Sequence, residues 1–447
     1  MAPSTERPTW LRSNRFIARS IARPLTRFLH IEASGGLLLA GAAAIALIWA
    51  NSPWSASYHD LWATELTIDL GGRAITEDLH HWINDGLMVL FFFVIGLEIK
   101  QELINGQLTS AREAAVPAAG ALGGMLVPAL LYLAFNLGGD GSAGWGIPMA
   151  TDVAFALGVL ALLGSRVPAQ LKVLLLGLAI VDDVGAIVII ALFYSDGIDP
   201  QWVAAAGGGL LLVAGLKAVR VRYLPVYVVL GTAIWFATFE SGVHATIAGV
   251  ALGLLAPARA FIPVVDADRI ADELSTDDHV TATEVRNISF RLRESIPVTV
   301  RLQELLHPWT SYVIVPVFAL ANAGVEVSGG SLADAASSPV TLGVMAGLVF
   351  GKLIGVAGAI LLATRVGIGR LPAGVTTRHV IGMAGIAGIG FTVSIFIAGL
   401  AFDSAALTDD AKIGVLAASL LAAAVGSAIL LRGPAPSTSE ALEDELD

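Results

Sequence analysis

The 447-residue sequence contains no cysteine. Its absence removes disulfides, thiolate metal centres and cysteine nucleophiles together, and leaves the redox compartment unreadable. Charge is scarce as well: 14% of residues are Asp, Glu, Lys or Arg, against roughly 25% in soluble domains. Apolar and small residues stand in their place, with 55% hydrophobic residues, 48 glycines and a mean hydropathy of +0.76. Glycine is frequent in membrane helices, which pack through small residues because lipid gives no hydrophobic drive between them. The net charge of -11 says little about partners, because the acids cluster in a few polar segments. Composition therefore points to a multi-pass membrane protein.

Helix-length apolar runs fall at 35–51, 80–100, 114–136, 144–164, 168–194, 201–219, 224–240, 242–256, 309–325, 341–363, 379–401 and 410–431. Roughly 20 apolar residues span a bilayer as a helix, so twelve transmembrane helices are expected. The basic segment at the start (Arg7, Arg12, Arg15, Arg19, Arg23, Arg27) is not followed by a small-residue cleavage site, and is read as a cytoplasmic flank. With it inside, the inner loops hold Arg112, Arg166, Lys217, Arg220, Arg222, Arg365 and Arg370, and the outer loops little beyond Arg73 and Lys412. By the positive-inside rule both termini are cytoplasmic. The expected order is a basic tail at 1–34, helices 1–8 over 35–256, an acidic cytoplasmic loop at 257–307, helices 9–12 over 308–432 and an acidic tail at 433–447. In the long loop a juxtamembrane helix is expected near Val300–Leu306, and no chemistry. Outside, the alternation from Leu66 to Thr76 around Gly71-Gly72 reads as a short β-hairpin. An isolated hairpin is marginal alone, so it either pairs with a second subunit or is an ordinary structured loop.

Inside the fifth run stand Asp182 and Asp183, the only ionisable residues between Val173 and Phe193. Lys352 is the only charge in the tenth run, and Asp152 lies near the centre of the fourth. Four unpaired charges at one depth would cost about 10–14 kcal/mol. They must pair or face water, and the default reading of such residues is a proton or cation site. For Lys352 the alternative is a structural ion pair, with Asp182 or Asp183 as partner. Pro148 and Thr151-Asp152 interrupt the fourth run, and glycines 382, 385, 388 and 390 punctuate the eleventh. Both read as broken helices. Helices 3–5 and 10–12 run in opposite directions, each triplet with a broken middle member, which points to an inverted-repeat transporter. The half-helix ends would meet at the midplane. Asp152 would neutralise positive ends, and an ammonium such as Lys352 negative ones.

Other polar residues allow two readings each. Asp85 is a helix cap or lines an ion path. Glu98 and Glu102, one turn apart, form a solvated helix end or a cation-attracting mouth. His244 is a structural hydrogen-bonder or a titrating switch. His80-His81 and His307 show no metal-ligand spacing.

Several stretches together resemble the NhaA family of bacterial sodium/proton antiporters, whose members are known for inverted repeats. They are Ala150-Thr-Asp152-Val-Ala-Phe-Ala-Leu-Gly158, Ala179-Ile-Val-Asp182-Asp183-Val-Gly-Ala186, Ser241-Gly-Val-His244-Ala-Thr246, Leu306-His-Pro-Trp309, Ala321-Asn-Ala-Gly324 and Gly388-Ile-Gly-Phe-Thr-Val-Ser-Ile-Phe396. Asn84-Asp85-Gly86 and Gly96-Leu-Glu98 add to them, and the resemblance covers residues 30–432.

The resemblance implies an all-α, homodimeric, twelve-helix antiporter of the bacterial inner membrane, with two broken crossing helices and dimer contact through the outer hairpin. It would exchange cytoplasmic Na+ or Li+ for external protons, electrogenically and under control of pH. Asp182 and Asp183 would carry the cation and the proton, with Lys352 paired to Asp182 and with Thr151 and Asp152 at the crossing. Glu98, Glu102, His244 and Asp85 would serve the pH response and ion access. Na+, Li+ and H+ are then substrates, and no cofactor, catalytic residue or nucleic-acid partner is expected. Two features depart from the family pattern: the length of the 257–307 loop, and Gln303 where an acid often precedes His-Pro-Trp, although Glu304 follows. A cation channel is the first rival reading and would lack the broken-helix symmetry. An intramembrane aspartyl protease is the second. Adjacent aspartates on one helix project about 100° apart and cannot clamp a peptide bond between them.

Overall fold

Long apolar helices dominate the chain, because in lipid only a helix or a closed barrel satisfies every backbone polar group. The structure is a computed structural model, and it describes residues 34–69, 74–106, 109–195, 197–261 and 281–432. The tails and residues 262–280 lie outside the described residues, and with them most of the acidic segment. Among the described residues, five helices are long and apolar enough to cross a bilayer: Glu113–Asn136, Ala169–Phe193, Pro200–Ala218, Pro339–Val366 and Ala405–Leu431. Joining each sharply bent pair as one span raises the number to eight.

The chain opens with α1 (Ser34–Ala50) and α2 (Ser55–Trp62), bent 116° apart. Strands β1 (Glu65–Asp69) and β2 (Ala74–Asp78) then pair antiparallel, Thr67 opposite Thr76. Their hydroxyls lie 2.9 Å apart. The turn holding Gly71-Gly72 lies outside the described residues. A short helix at Leu79–His81 passes through a π-helical turn, Trp82–Leu87, into α3 (Met88–Asn105). There follow α4 (Ala111–Asn136), a 3₁₀ segment at Asp140–Met149, α5 (Val153–Leu162) and α6 (Ala169–Phe193). Next come α7 (Pro200–Ala218), α8 (Leu224–Glu240) and α9 (Thr246–Leu255). The apolar run at 242–256 is thus helical over a shorter stretch than expected, since residues 241–245 form a turn with Gly242 at positive φ.

The later half holds α10 (Ala282–Glu294), α11 (Val298–Trp309), a π-helical turn at Thr310–Ile314 and α12 (Val315–Asn322). The boundary expected at 308 therefore falls inside one continuous helical path. Pro316 gives a physical reason for the widened turn, because a proline ring collides with the carbonyl four residues back in a regular helix. Helix α10 is anchored by Glu294, whose buried carboxylate bridges Arg222 at 3.1 Å and Arg301 at 3.2 Å. The chain ends through α13 (Gly329–Ser337), α14 (Pro339–Met345), a π-helical turn at Ala346–Gly351, α15 (Lys352–Val366), α16 (Thr377–Ile386), α17 (Phe391–Ala401) and α18 (Ala405–Leu431).

Glycine contacts set how closely the helices around the site approach. A Cβ on Gly96 of α3 would lie 2.6 Å from the Val250 carbonyl of α9, and one on Gly123 of α4 would collide with the Gly355 carbonyl of α15. Backbones touch there, as small-residue interfaces in lipid allow. Large apolar side chains such as Leu126, Leu130, Leu211 and Leu420 point outward from the long helices, the pattern of a surface solvated by lipid.

Candidate functional site

The two broken helices cross where their backbones unwind. The 3₁₀ segment Asp140–Met149 and α5 are bent by 47°, and α16 and α17 by 46°. Pro148, which has no N–H to donate, sits at the end of the first arm. Each break frees backbone groups in an apolar interior, where an unmade hydrogen bond costs several kcal/mol. The two breaks satisfy one another. The Asp152 N–H donates to the Ile389 carbonyl at 2.6 Å, Thr151 Oγ1 to the Ala387 carbonyl at 2.9 Å, and Ser394 Oγ to the Ile147 carbonyl at 2.7 Å.

Asp152, which is buried, caps two helices at once. One oxygen accepts the Phe155 N–H at 2.9 Å, in the first turn of α5. The other accepts the Thr392 N–H at 3.0 Å and the Thr392 hydroxyl at 2.6 Å, in the first turn of α17. A carboxylate at the N-terminal ends of two helices meets two positive dipole ends. The carbonyls that end the opposing arms are met by Thr151 and by the Asp152 N–H, not by Lys352. Of the two expectations for Lys352, a helix end or an aspartate, the geometry shows the pairing with Asp182 that the resemblance implied: Lys352 Nζ donates to Asp182 Oδ2 at 2.7 Å. Both members of that pair are fully buried, and a buried ammonium is held by a full charge more strongly than by a helix-end dipole.

Asp182 and Asp183 follow one another on α6, so their side chains diverge by about 100°. Asp182 turns into the bundle toward Lys352, while Asp183 is half-buried. Its charged neighbours are Asp182, Glu98, Asp152 and Lys352, contributed by α3, the first helix break, α6 and α15. The second oxygen of Asp182, Oδ1, is buried without a hydrogen-bond partner among the described residues. Beside Lys352 the backbone of α4 gives way at Gly124, where a Cβ would lie 3.6 Å from Nζ.

Of the other expected residues, Glu98 joins this cluster through Asp183, and Glu102 follows it on α3. Asp85 does not. It lies in the π-helical turn before α3, about 20 Å up the helix from Glu98 at 1.5 Å per residue, and lines a crevice with Glu77, His81, Trp82, Trp235 and Phe239. Its carbonyl accepts the Trp235 indole N–H at 2.7 Å. His244 lies in the turn between α8 and α9, where its carbonyl accepts the Ile247 N–H. Thr392, Ser394 and Gly124 are site residues that sequence reasoning did not single out. Thr392 and Ser394 do stand in the glycine-rich stretch that carries the eleventh-run break, which was the available signal.

The profile of the family Na+/H+ antiporter 1 matches residues 26–430. The chain belongs to this family of Na+/H+ antiporters. Among curated relatives, Na(+)/H(+) antiporter NhaA 2 of Sorangium cellulosum is 46% identical over 431 residues, 94% of this chain and 92% of its own. Na(+)/H(+) antiporter NhaA 3 of Frankia alni is 47% identical over 412 residues, covering 92% and 89%. The NhaA of Rhodopirellula baltica is 46% identical over 420 residues, covering 92% and 94%. Members of the family are transporters, not enzymes, which removes the protease reading.

Proposed function

We propose that the protein is an electrogenic secondary antiporter that exchanges cytoplasmic Na+ or Li+ for external protons through Asp182 and Asp183. The observation that carries this reading is Asp182 Oδ1, buried and unbonded, on the residue next to Asp183 and beside two crossed helix breaks. Oxygen donors suit a hard cation, and the same oxygens take protons. Competition between the two at one site, with access from alternating sides, is sufficient for exchange. If both carboxyls load protons while one Na+ loads at a time, each cycle moves net charge and responds to membrane voltage.

In this reading Lys352 holds Asp182 by charge, and Thr151 and Asp152 keep the crossing rigid. Glu98 and Glu102 face the cytoplasmic approach, and they serve the pH response with His244 and Asp85. The chain would cross the bacterial inner membrane twelve times with both termini cytoplasmic, helices 3–5 and 10–12 forming inverted repeats. The nearly equal bends of 47° and 46° support that symmetry. Homodimerisation through the hairpin is supported by Leu66 and Ile68, apolar side chains 44% and 39% exposed on β1.

Reconstitution into liposomes with an entrapped pH dye tests the proposal. Na+ and Li+ pulses should move protons in the opposite direction, and an inside-negative voltage should change the rate. Cation flux without counter-movement of protons would instead make the protein a channel.

A further inference from the structure

We infer that Asp78, His80 and His81 form a binding site for a divalent transition-metal ion of the Zn2+ class, separate from the transported ion. The ligand atoms of the three residues all lie within 4.8 Å of one another. In sequence the spacing is i, i+2, i+3, which suits neither a strand face nor a helix face. The junction of β2 with the helical turn Leu79–His81 brings them together, because Asp78 ends the strand and caps the helix through the His81 N–H at 2.8 Å. Zn–N bonds of about 2.0–2.1 Å place tetrahedral ligands roughly 3.4 Å apart. The widest separation thus closes by at most about 1.4 Å on binding, while the 2.7 Å contact of His81 with Asp78 opens, and His81 is exposed at the surface, where it can move.

Hydrogen bonds around His80 fix its tautomer. Asn322 Nδ2 donates to Asn84 Oδ1 at 2.9 Å and to the Phe318 carbonyl at 3.0 Å, so Asn322 Oδ1 is an acceptor. His80 Nε2 stands 2.9 Å from that oxygen and must carry the proton. The lone pair is then on Nδ1, where Asn84 Nδ2 stands at 3.4 Å, a long contact that a metal ion would replace. A histidine whose outer N–H is held by a carbonyl oxygen has the support that metal-ligating imidazoles have. His81 Nδ1 lies 2.7 Å from Asp78 Oδ1, a contact in which a metal ion can replace the shared proton. Glu77 and Asp85 add negative charge around His81, while Lys412 adds an opposing positive charge near His80. Two imidazoles and one carboxylate select Zn2+, Ni2+ or Co2+ over an alkali cation, and leave a coordination position for water. A bound ion would tie the hairpin to the helix carrying Asp85 and, through Asn322, to α12.

The test uses full-length protein in detergent, without a polyhistidine tag, titrated with Co2+ and then Zn2+. The expected result is one Co2+ per chain with a visible ligand-field band, erased by Zn2+. His81→Gln should abolish the band, and so should His80→Gln, which keeps a donor for Asn322. Asn322→Ala should weaken binding about 10–100-fold, whereas His59→Gln should leave it unchanged. No band above that of aqueous Co2+, or wild-type affinity in either the His80 or the His81 variant, would overturn the site.

Discussion

At the helix crossing Asp152 is bonded on both oxygens, by Phe155 and Thr392. On the neighbouring helix Asp182 has one oxygen bonded to Lys352 and the other without a hydrogen-bond partner among the described residues. Both are buried aspartates in an apolar bundle, yet their partners differ in kind. Fixed backbone N–H groups and a threonine hold Asp152, so moving it would leave two helix ends uncapped. Asp182 is held by a single lysine ammonium, and the next residue, Asp183, is a second carboxyl within electrostatic reach. Burial alone therefore does not distinguish the two acids; unfilled bonding capacity does. In the proposed exchange, Asp152 belongs to the frame, and Asp182 with Asp183 is the part that exchanges.

The largest effect should follow at the exchanging pair. Asp183→Asn should abolish Na+-driven proton movement in liposomes while the protein still folds and inserts. Next comes the ion pair. Removing one partner of a buried pair costs about 3–5 kcal/mol, so Lys352→Ala should lower the melting temperature in detergent, and Lys352→Arg should keep more of it. An unchanged melting temperature in the Ala variant would contradict the pair. The frame should respond more mildly. Thr392→Val removes the hydroxyl bond to Asp152, and hydrogen bonds to charged groups contribute about 1.5–3 kcal/mol. Stability should fall by that order while exchange persists, and Asp152→Asn should likewise keep partial activity.

The smallest effect belongs to Asp78 at the strand–helix junction. Burial pushes its pKa up, but the His81 N–H and imidazole favour the carboxylate more, and the net shift is downward. A lowered folded-state pKa gives stability that is present above the unfolded value near 3.9 and lost as pH falls through the folded one. Loss of a cap costs about 0.5–2 kcal/mol. Asp78→Asn should thus melt lower than wild type near neutral pH, and the two curves should converge in acid.

Charges inside apolar runs were legible at once, because Asp152, the adjacent pair Asp182-Asp183, and Lys352 each stand in an otherwise uncharged apolar stretch. The breaks were legible too, from Pro148 and the glycines of 382–390. Partner choice was not. The rotation of α6 against α15, which decides whether Lys352 meets a helix end or Asp182, is encoded in no local pattern, and the pairing with Asp182 was implied only by the family resemblance. The roles of Thr392 and Ser394 rest on contacts with residues some 240 positions away, and both look ordinary in sequence. The π-helical turns at 82–87, 310–314 and 346–351 leave the hydropathy pattern intact and stayed invisible. The grouping of Asp78 with His80 and His81 escaped because it is made by a change of secondary structure, not by a repeat within one.

The division of roles is tested most directly by the protons released when Na+ is added to lightly buffered protein in detergent, followed with a pH dye. Competition at Asp182 and Asp183 predicts proton release from wild type, release at higher Na+ from Asp152→Asn, and none from Asp183→Asn. Wild-type release from Asp183→Asn, with none from Asp152→Asn, would reverse the assignment and make the crossing the exchange site.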